Sequence, residues 1–333
     1  MVSAALSAAV SVGLSVVVVA SIAAPAVSSP GDQPPPAEAA PLRVAVTVPP
    51  QAWLVERLGG KDVEVVTVIG PGFSHETYQP SDREASAVLS CALYVRTGLS
   101  VENGPWFRAI ERSPNVRIID GRAGIAQRTL ETPSELEEHG PPGSAGEHGT
   151  RDHDHPPAPG HAVGDHSACD HGGPDPHIWL SPVLLKQQAA TIAHALSAAR
   201  PDLANDVADR LRRVERELDA LDTELRARLA PYAGRSILVF HPAWGYFTDA
   251  YGLKQIAIES EGRLPSDREV TTLQETARAL GIRTLFVEPQ IGGKAAQSLA
   301  KAIGAKVVVL DPMARDVPTN LRLVAEKIAE SLQ

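Results

Sequence analysis

A long charged segment with a single apolar stripe divides the sequence and constrains its fold more than any other feature. The stripe recurs at spacings of three and four residues: Leu203, Val207, Leu211, Val214, Leu218, Leu221, Leu225 and Leu229. This period predicts one amphipathic α-helix, about 45 Å long at 1.5 Å per residue. A lone surface helix or a coiled-coil arm would have the same pattern, but strand and helix patterns flank this one on both sides. We therefore predict a rigid helix over 201–231 that joins two lobes.

Both flanks of this helix alternate short β-rich runs with helical runs. Strands are predicted at 42–48 and 63–69, in the runs CALYVRT and VRIID, and at 236–240, 253–259, 284–289 and 305–311. Alternating strands and helices are typical of parallel βαβ units. A chain of 333 residues is also long enough for two domains that each bury a core. The predicted fold class is α/β, with two sandwich lobes at 42–200 and 232–333.

The first 26 residues have the pattern of an export signal. They carry no charge, are apolar from about Val10 to Ala26, and are followed by a stretch rich in Ser, Pro and Gly. We predict a signal peptide at 1–26, a disordered linker at 27–41 and a periplasmic or other extracytoplasmic location. A retained anchor is the alternative, because the apolar run approaches the roughly 20 residues that span a bilayer.

Charge and cysteine content exclude some classes of partner and framework. Asp and Glu number 40 against 31 Lys and Arg, giving a formal net charge of -9 without a basic block. This balance argues against nucleic acid as a partner. Two cysteines, Cys91 and Cys169, are too few for a disulfide framework. We expect a monomer.

The segment 139–171 belongs to neither lobe. It combines seven histidines with several acids and Cys169 among Gly, Pro, Ala and Ser, so it cannot bury a core. Clustered His with Asp and Glu is typical of a weak, multi-site chelator for zinc, nickel or copper. A low-complexity linker without function is the alternative. We predict a mobile loop with a secondary metal site at His139, His148, His153, His155, His161, His166 and His171.

Only four histidines lie outside this loop, and three of them share a position in the chain pattern. His194 falls in a helical run and is interpreted as a helix-surface residue. His75 follows the second predicted strand, His177 lies in DPHIWLSP before a helix, and His241 comes directly after the strand SILVF. In open α/β sheets, ligands bind beyond the carboxyl ends of the strands. These three imidazoles are therefore candidate ligands in a cleft between the lobes.

Asp311 is the fourth candidate, because it ends the predicted strand KVVVL. Three imidazoles and a carboxylate make a tetrahedral set that suits Zn²⁺. The alternative for Asp311 is a structural cap, since Asp commonly bonds to the backbone of a turn.

Several motifs resemble the metal-binding solute receptors of ABC importers, in particular the zinc-type periplasmic receptors (cluster A-I, ZnuA-like). They are GPGFSHETYQPSD, TGLSVENGPW, DPHIWLSP, FHPAWGYFTDAYGL, FVEPQ and KVVVLDPM, in the family's order from about Leu42 onward. The resemblance implies two α/β lobes joined by a long helix, with the metal between them. It implies His75, His177, His241 and Asp311 as ligands of Zn²⁺, and an ABC importer permease as the partner.

The resemblance also bears on which metal is bound. Manganese and iron receptors of the family typically place Glu at the third ligand position, where this chain has His241. A nitrogen donor in place of a carboxylate favours zinc. The predicted function is a high-affinity zinc receptor that delivers Zn²⁺ to the permease.

Three alternatives stay open at this point. A receptor for manganese or another divalent metal would use the same fold, and a metal-storing or adhesive surface protein would use the same site. A zinc hydrolase would need an open fourth position and a general base such as Glu259, Glu261 or Glu288. None of these glutamates lies in an HExxH-type context, so we do not expect an enzyme.

Overall fold

The computed structural model describes residues 40–130, 173–259, 265–290 and 293–333. The predicted signal peptide, nearly all of the predicted linker and the predicted His-rich loop lie outside the described residues. Within the described part of the chain, no helix is long and apolar enough to span a membrane.

The first lobe is a four-stranded parallel sheet with helices between its strands. Its elements are β1 (Leu42–Val46), α1 (Pro49–Gly59), β2 (Val63–Thr67), α2 (Asp82–Leu89), β3 (Leu93–Arg96), α3 (Pro105–Glu111), β4 (Arg117–Asp120) and α4 (Pro182–Ala199). The strand order is β2-β1-β3-β4, and every neighbouring pair is parallel. All carboxyl ends of these strands therefore lie at one edge of the sheet.

The second lobe repeats this arrangement. It contains β5 (Ser236–Val239), α6 (Gly245–Ala250), β6 (Lys254–Ala257), α7 (Asp267–Ala279), β7 (Thr284–Val287), α8 (Lys294–Ile303), β8 (Lys306–Val309) and α9 (Val317–Ser331). Its sheet order, β6-β5-β7-β8, is the order of the first sheet shifted by four strands, and it is also parallel. The predicted α/β class with two lobes is confirmed.

The connecting helix is present where the apolar stripe predicts it. α5 spans Ala204–Leu229, and a 3₁₀ turn continues it at each end, Pro201–Leu203 and Ala230–Tyr232. Its buried side chains are Val207, Val214, Leu218, Leu221, Leu225 and Leu229. It packs against α1 and α4 of the first lobe and against α9 at the end of the chain. The helix is therefore held along its length by both lobes.

The hydrophobic core differs from the expectation of one core for each lobe. A single cluster of buried residues runs from Val44 in β1 to Leu332 after α9 and includes the inner face of α5. A smaller second cluster, which contains Leu238, Leu273 and Leu285, belongs to the second lobe alone. Residues Ala40–Gln333 form one compact unit because α5 packs against α1 and α4 of the first lobe and against α9 of the second.

Most observed strands end one or two residues before the predicted ones. Thr47, Phe240, Glu259, Glu288 and Asp311 fall beyond the last ladder residue of their strands. The sequence pattern of a strand extends past the last paired residue because these positions are still buried or half-buried. The chain has nevertheless begun to turn toward the next element there. Three of these residues, Glu259, Glu288 and Asp311, are the acids that follow β6, β7 and β8.

Candidate metal centre

Three histidines from distant parts of the sequence meet at the carboxyl edge of the sheets. The ring centroids of His75, His177 and His241 are 5.0–5.3 Å apart, and their planes cross at 70–84°. One nitrogen atom from each ring lies within 4.8 Å of the others. The three residues are only 3%, 1% and 5% exposed. The structure therefore brings three of the four predicted ligand residues into one buried group.

The spacing of two of the ring nitrogens fits a shared tetrahedral metal ion. Nε2 of His75 lies 3.1 Å from Nε2 of His177. Two nitrogens that each bind Zn²⁺ at about 2.0–2.1 Å in a tetrahedral site are about 3.3–3.4 Å apart. Nε2 of His241 is buried and has no hydrogen-bond partner among the described residues. The group thus offers nitrogen donors at the distance and burial that a zinc site requires.

His75 lies in the loop between β2 and α2, and the start of α2 fixes that loop. The hydroxyl of Ser81 accepts a hydrogen bond from the N–H of Glu84, and the Glu84 carboxylate accepts one from the Ser81 N–H, forming a capping box. Tyr78 donates to the same carboxylate at 2.6 Å and packs edge-on against Phe73. These contacts hold the loop on either side of His75.

His177 is oriented by Asp175, two residues earlier. Oδ1 of Asp175 accepts a hydrogen bond from the His177 backbone N–H at 2.9 Å and lies 2.8 Å from its Nδ1. A carboxylate on Nδ1 holds the proton there and leaves Nε2 with its lone pair, as in the carboxylate–histidine–zinc arrangement. The ring also packs against Trp179, whose indole N–H donates to the Pro312 carbonyl. His177 is thus fixed in the tautomer that a metal needs.

His241 follows β5 and has carboxylates on its other side. Its Nδ1 lies 2.9 Å from Oε1 of Glu76 and 3.4 Å from Oε2 of Glu259. Pro242 follows directly, and α6 begins at Gly245. Glu76, His241 and Glu259 form a second group of mutually close ligand atoms. The Nδ1 edge of the His241 ring therefore lies beside two acids, while the ring packs against the other two imidazoles.

The electrostatic environment shifts the pKa values of the three imidazoles in different directions. Burial, with repulsion from His177 and His241, holds the pKa of His75 well below its usual value. Burial also lowers the pKa of His177, although Asp175 opposes the shift. For His241, burial is outweighed by Glu259 and Glu76, and the pKa is raised to about 10. His75 and His177 are therefore neutral at pH 7, while His241 holds a proton in the metal-free protein.

Asp311 is at the same edge but outside the histidine group. Its Oδ1 accepts a hydrogen bond from the Met313 N–H at 2.8 Å, as a turn cap does. Its carboxyl is not within 4.8 Å of the three ring nitrogens, and burial raises its pKa. Its charge contributes to raising the pKa of the buried Glu288. The structure does not bring Asp311 to the imidazoles, and its role as fourth ligand stays a prediction.

The remaining candidates have simpler surroundings. His194 is exposed on α4, as interpreted from the sequence, and Cys91 is buried as a free thiol. Glu261, Cys169 and the seven loop histidines lie outside the described residues. Glu76 also lines a cavity of about 620 Å³, together with Asp82 and Trp106. Of the groups that contact His241, Glu76 is the one that reaches toward solvent.

The residues that contact the three histidines or their hydrogen-bond partners were not identified from the sequence. Asp175, Arg128 and Glu76 were not among the candidates, although Asp175 stands in DPH and Glu76 is next to His75. An Asp two residues before a candidate ligand is a usable signal, because its side chain can reach the backbone N–H of that residue. Arg128 had no such signal, since it meets Asp175 only in the folded chain, at 3.3 Å.

Comparison with known families places nearly the whole described chain in one group. A family model described as zinc-uptake complex component A, periplasmic (ZnuA), matches residues 44–330. The high-affinity zinc uptake system protein ZnuA of Haemophilus influenzae is 35% identical over 139 residues, which is 41% of each chain.

Solved structures agree with this assignment. A crystal structure of ZnuA has a TM-score of 0.73 and 33% identity, over 88% of this chain and 100% of the other. A zinc-bound ZnuA mutant that lacks residues 138–173 of its own chain has a TM-score of 0.71 and 33% identity, over 88% of this chain and 98% of the other.

Proposed function

Because this chain belongs to the ZnuA family of periplasmic zinc-uptake components, we propose that it captures Zn²⁺ outside the cytoplasm and delivers it to an ABC importer permease. The family consists of zinc-binding receptors rather than enzymes, and its members work with such permeases. Its periplasmic character indicates an extracytoplasmic location. A cleaved signal at 1–26 and a monomeric receptor are part of the proposal.

One observation carries the assignment of the cargo. Three buried imidazoles converge with two Nε2 atoms 3.1 Å apart, and nitrogen donors of this kind prefer zinc over manganese or magnesium. His75, His177 and His241 are the proposed ligands, with Asp311 as the predicted fourth. A carboxylate in the fourth position closes the site and leaves no place for a reactive water.

The residues around the cargo explain how it is held and released. Asp175 keeps the lone pair of His177 on Nε2, while the carboxylates of Glu76 and Glu259 lie 2.9 and 3.4 Å from Nδ1 of His241. The cargo binds between residues of two lobes, so a partner that separates the lobes removes ligands from it. We propose that the permease releases the metal in this way.

A receptor for manganese or another divalent metal is the second candidate. The carboxylates of Glu76 and Glu259 lie beside His241, the charge of Glu288 also acts on it, and hard oxygen donors suit manganese. Zinc is preferred because all three grouped residues at the convergent point are imidazoles. A metal-storing or adhesive surface protein would have the same centre but would not dock on a permease.

Calorimetric titration of the metal-free mature protein with Zn²⁺ and with Mn²⁺ tests this proposal. We expect tight zinc binding that His241→Ala weakens by more than the roughly 100-fold typical of outer-shell changes, and weak manganese binding. His194→Ala is the matched control, because His194 is exposed on α4, and its affinity should equal that of the wild type. Equal or tighter manganese binding, or an unaffected His241→Ala protein, would overturn the assignment.

The seven histidines at 139–171 are proposed as weaker sites that raise the local zinc concentration. The zinc-bound deletion mutant of the related ZnuA supports this division. Deleting 139–171 should spare the tight site and lower the total number of zinc ions bound per chain. Loss of all zinc binding on deletion would contradict it.

A further inference from the structure

Arg128 connects the support of one proposed ligand to the element that follows another. It precedes the short pairing of Thr129 with Pro174, and its carbonyl accepts a hydrogen bond from the Asp175 N–H. Its Nη1 lies 3.3 Å from Oδ2 of Asp175, whose other oxygen holds the His177 ring. The guanidinium is therefore linked to His177 through a single residue, Asp175.

The same side chain also contacts the second lobe. Its Nε lies 3.1 Å from Oδ2 of Asp249 in α6, and its guanidinium stands 5.8 Å over the ring of Tyr246. The Tyr246 hydroxyl accepts a hydrogen bond from the Arg128 N–H and donates one to the Asp175 carbonyl, both at 3.1 Å. α6 begins four residues after His241. Arg128 thus joins Asp175, which orients His177, to the helix that follows His241.

Gly245 provides the space for the guanidinium. A Cβ at this position would lie 1.1 Å from Nη1 and 2.2 Å from Cζ of Arg128. Gly245 is the first residue of α6, where alanine is compatible with the helix. A methyl group here would therefore displace the guanidinium and leave the helix intact.

We propose that Arg128 is a positioning residue that fixes the distance between Asp175, which orients His177, and α6, which follows His241, and thereby slows release of the bound metal. The proposal rests on the proposed function, since it assumes that these histidines bind the metal. Arg128 is suited to this role because a planar guanidinium can bond to two carboxylates at once, whereas an ammonium cannot do so with fixed geometry.

The central test is the rate at which a chelator removes zinc from the loaded protein. Arg128→Gln should increase the zinc dissociation rate about tenfold, the lower end of what outer-shell changes cause. Arg210→Gln is the matched control. Arg210 makes a similar ion pair with Asp62 at 3.3 Å, and its side chain is 24% exposed against 17% for Arg128. It joins α5 to the end of α1, away from the histidines, so its variant should release zinc within about twofold of the wild-type rate.

Two further variants separate positioning from general loss of stability. Gly245→Ala should increase the rate about as much as Arg128→Gln, and the double variant should be no faster than either single one, because both changes remove the same contact. Arg128→Lys should be intermediate, since it keeps the charge beside Asp175 but loses the fork.

The absorption spectrum of bound Co²⁺ supplies a second readout. We expect the d–d bands to shift in Arg128→Gln and Gly245→Ala and to stay unchanged in Arg210→Gln, because only the first two alter ligand geometry. Wild-type rates and spectra in both Arg128→Gln and Gly245→Ala would overturn the inference, as would an equal acceleration in Arg210→Gln. If the wild-type protein itself does not bind zinc tightly, the proposed function fails first.

Discussion

The two lobes share one topology but differ in the hydrogen bonding of their buried acids. Both sheets have the same strand order, and the pentapeptide PSDRE occurs at 80–84 and again at 265–269. Each copy begins a helix with a capping box, at Ser81 and at Ser266. The repeat shows that the shared sequence serves the scaffold, so the difference between the lobes lies at the strand ends.

In the first lobe the buried carboxylate is fully satisfied. Glu102, in the loop after β3, accepts hydrogen bonds from the backbone N–H groups of Thr97 and Gly98 at 2.8 and 2.6 Å. It also accepts from the hydroxyls of Thr47, Thr97 and Tyr94 and from Nε of Arg96. A carboxylate with this many donors fixes a loop and has no capacity left for a ligand.

In the second lobe the buried carboxylates face the imidazoles. Glu288 follows β7, the counterpart of β3, and its Oε1 has no hydrogen-bond partner among the described residues. Glu259 follows β6 and lies beside His241. Burial raises the pKa of Glu288 to about 7, against the attraction of His241. After β3 the buried carboxylate of Glu102 therefore fixes a loop, whereas after β7 that of Glu288 keeps one oxygen without a hydrogen bond among the described residues, close to the candidate metal centre.

Replacing Glu102 should give the largest effect and separate stability from binding. Glu102→Ala leaves several buried donors without an acceptor, so we expect a loss of about 3–5 kcal/mol in the free energy of unfolding. Urea unfolding of the metal-free protein measures it, with exposed Glu111→Ala as the control. Zinc affinity of the folded variant should change by less than about twofold. A large affinity loss with intact stability would break the contrast between the lobes.

Replacing Glu288 should have the opposite sign. Its folded pKa of about 7 lies above the ordinary 4.5, so ionisation destabilises the folded state from pH 4.5 upward, fully above pH 7. Glu288→Gln removes this cost and should stabilise the metal-free protein by roughly 2–3 kcal/mol at pH 8 and by little at pH 5. Urea unfolding at both values measures it. An equal gain at the two pH values, or destabilisation at pH 8, would refute the assignment.

The pH dependence of zinc affinity tests the acid pair beside His241. Because the pKa of His241 is raised to about 10, the metal-free protein holds a proton there at pH 7–9, and zinc must displace it. The dissociation constant should therefore fall about tenfold per pH unit over this range. His75 and His177 add nothing here, since their pKa values are lowered. Titration in buffers of different ionisation enthalpy should show one proton released per zinc ion.

The control for this dependence is Glu259→Gln, which removes one of the charges that hold the proton on His241. Its affinity should vary less steeply between pH 7 and 9 than that of the wild type. A wild-type affinity that does not change over this range would mean that His241 is already neutral.

Asp311→Asn should give the smallest effect of the series. The amide oxygen can still accept from the Met313 N–H, so the turn is kept while the charge is removed. Asparagine also keeps an oxygen donor for the metal, so the loss of the charge alone should weaken zinc affinity by about fivefold, close to 1 kcal/mol. Calorimetric titration measures it. An unchanged affinity would exclude Asp311 and leave the fourth position to Glu76, Glu259 or water.

The α/β architecture and the three convergent histidines could be predicted from sequence patterns. The apolar stripe of α5 and the alternation of strands and helices repeat many times, so each signal is redundant and local. His75 and His241 follow strands, and parallel strands place their carboxyl ends at a common edge. The position of these histidines follows from connectivity alone, without any knowledge of side-chain contacts.

The residues that surround those histidines are set by tertiary contacts that no local sequence pattern predicts. The contact of Arg128 with Asp175 joins residues 47 positions apart, and that of Glu76 with His241 joins two lobes. The tertiary structure also gives the Glu102 carboxylate a full set of donors and leaves Oε1 of Glu288 without one among the described residues, although both glutamates follow equivalent strands. Each outcome depends on which donors stand within about 3 Å, a distance set by the packing of both lobes on α5 and not by any local pattern.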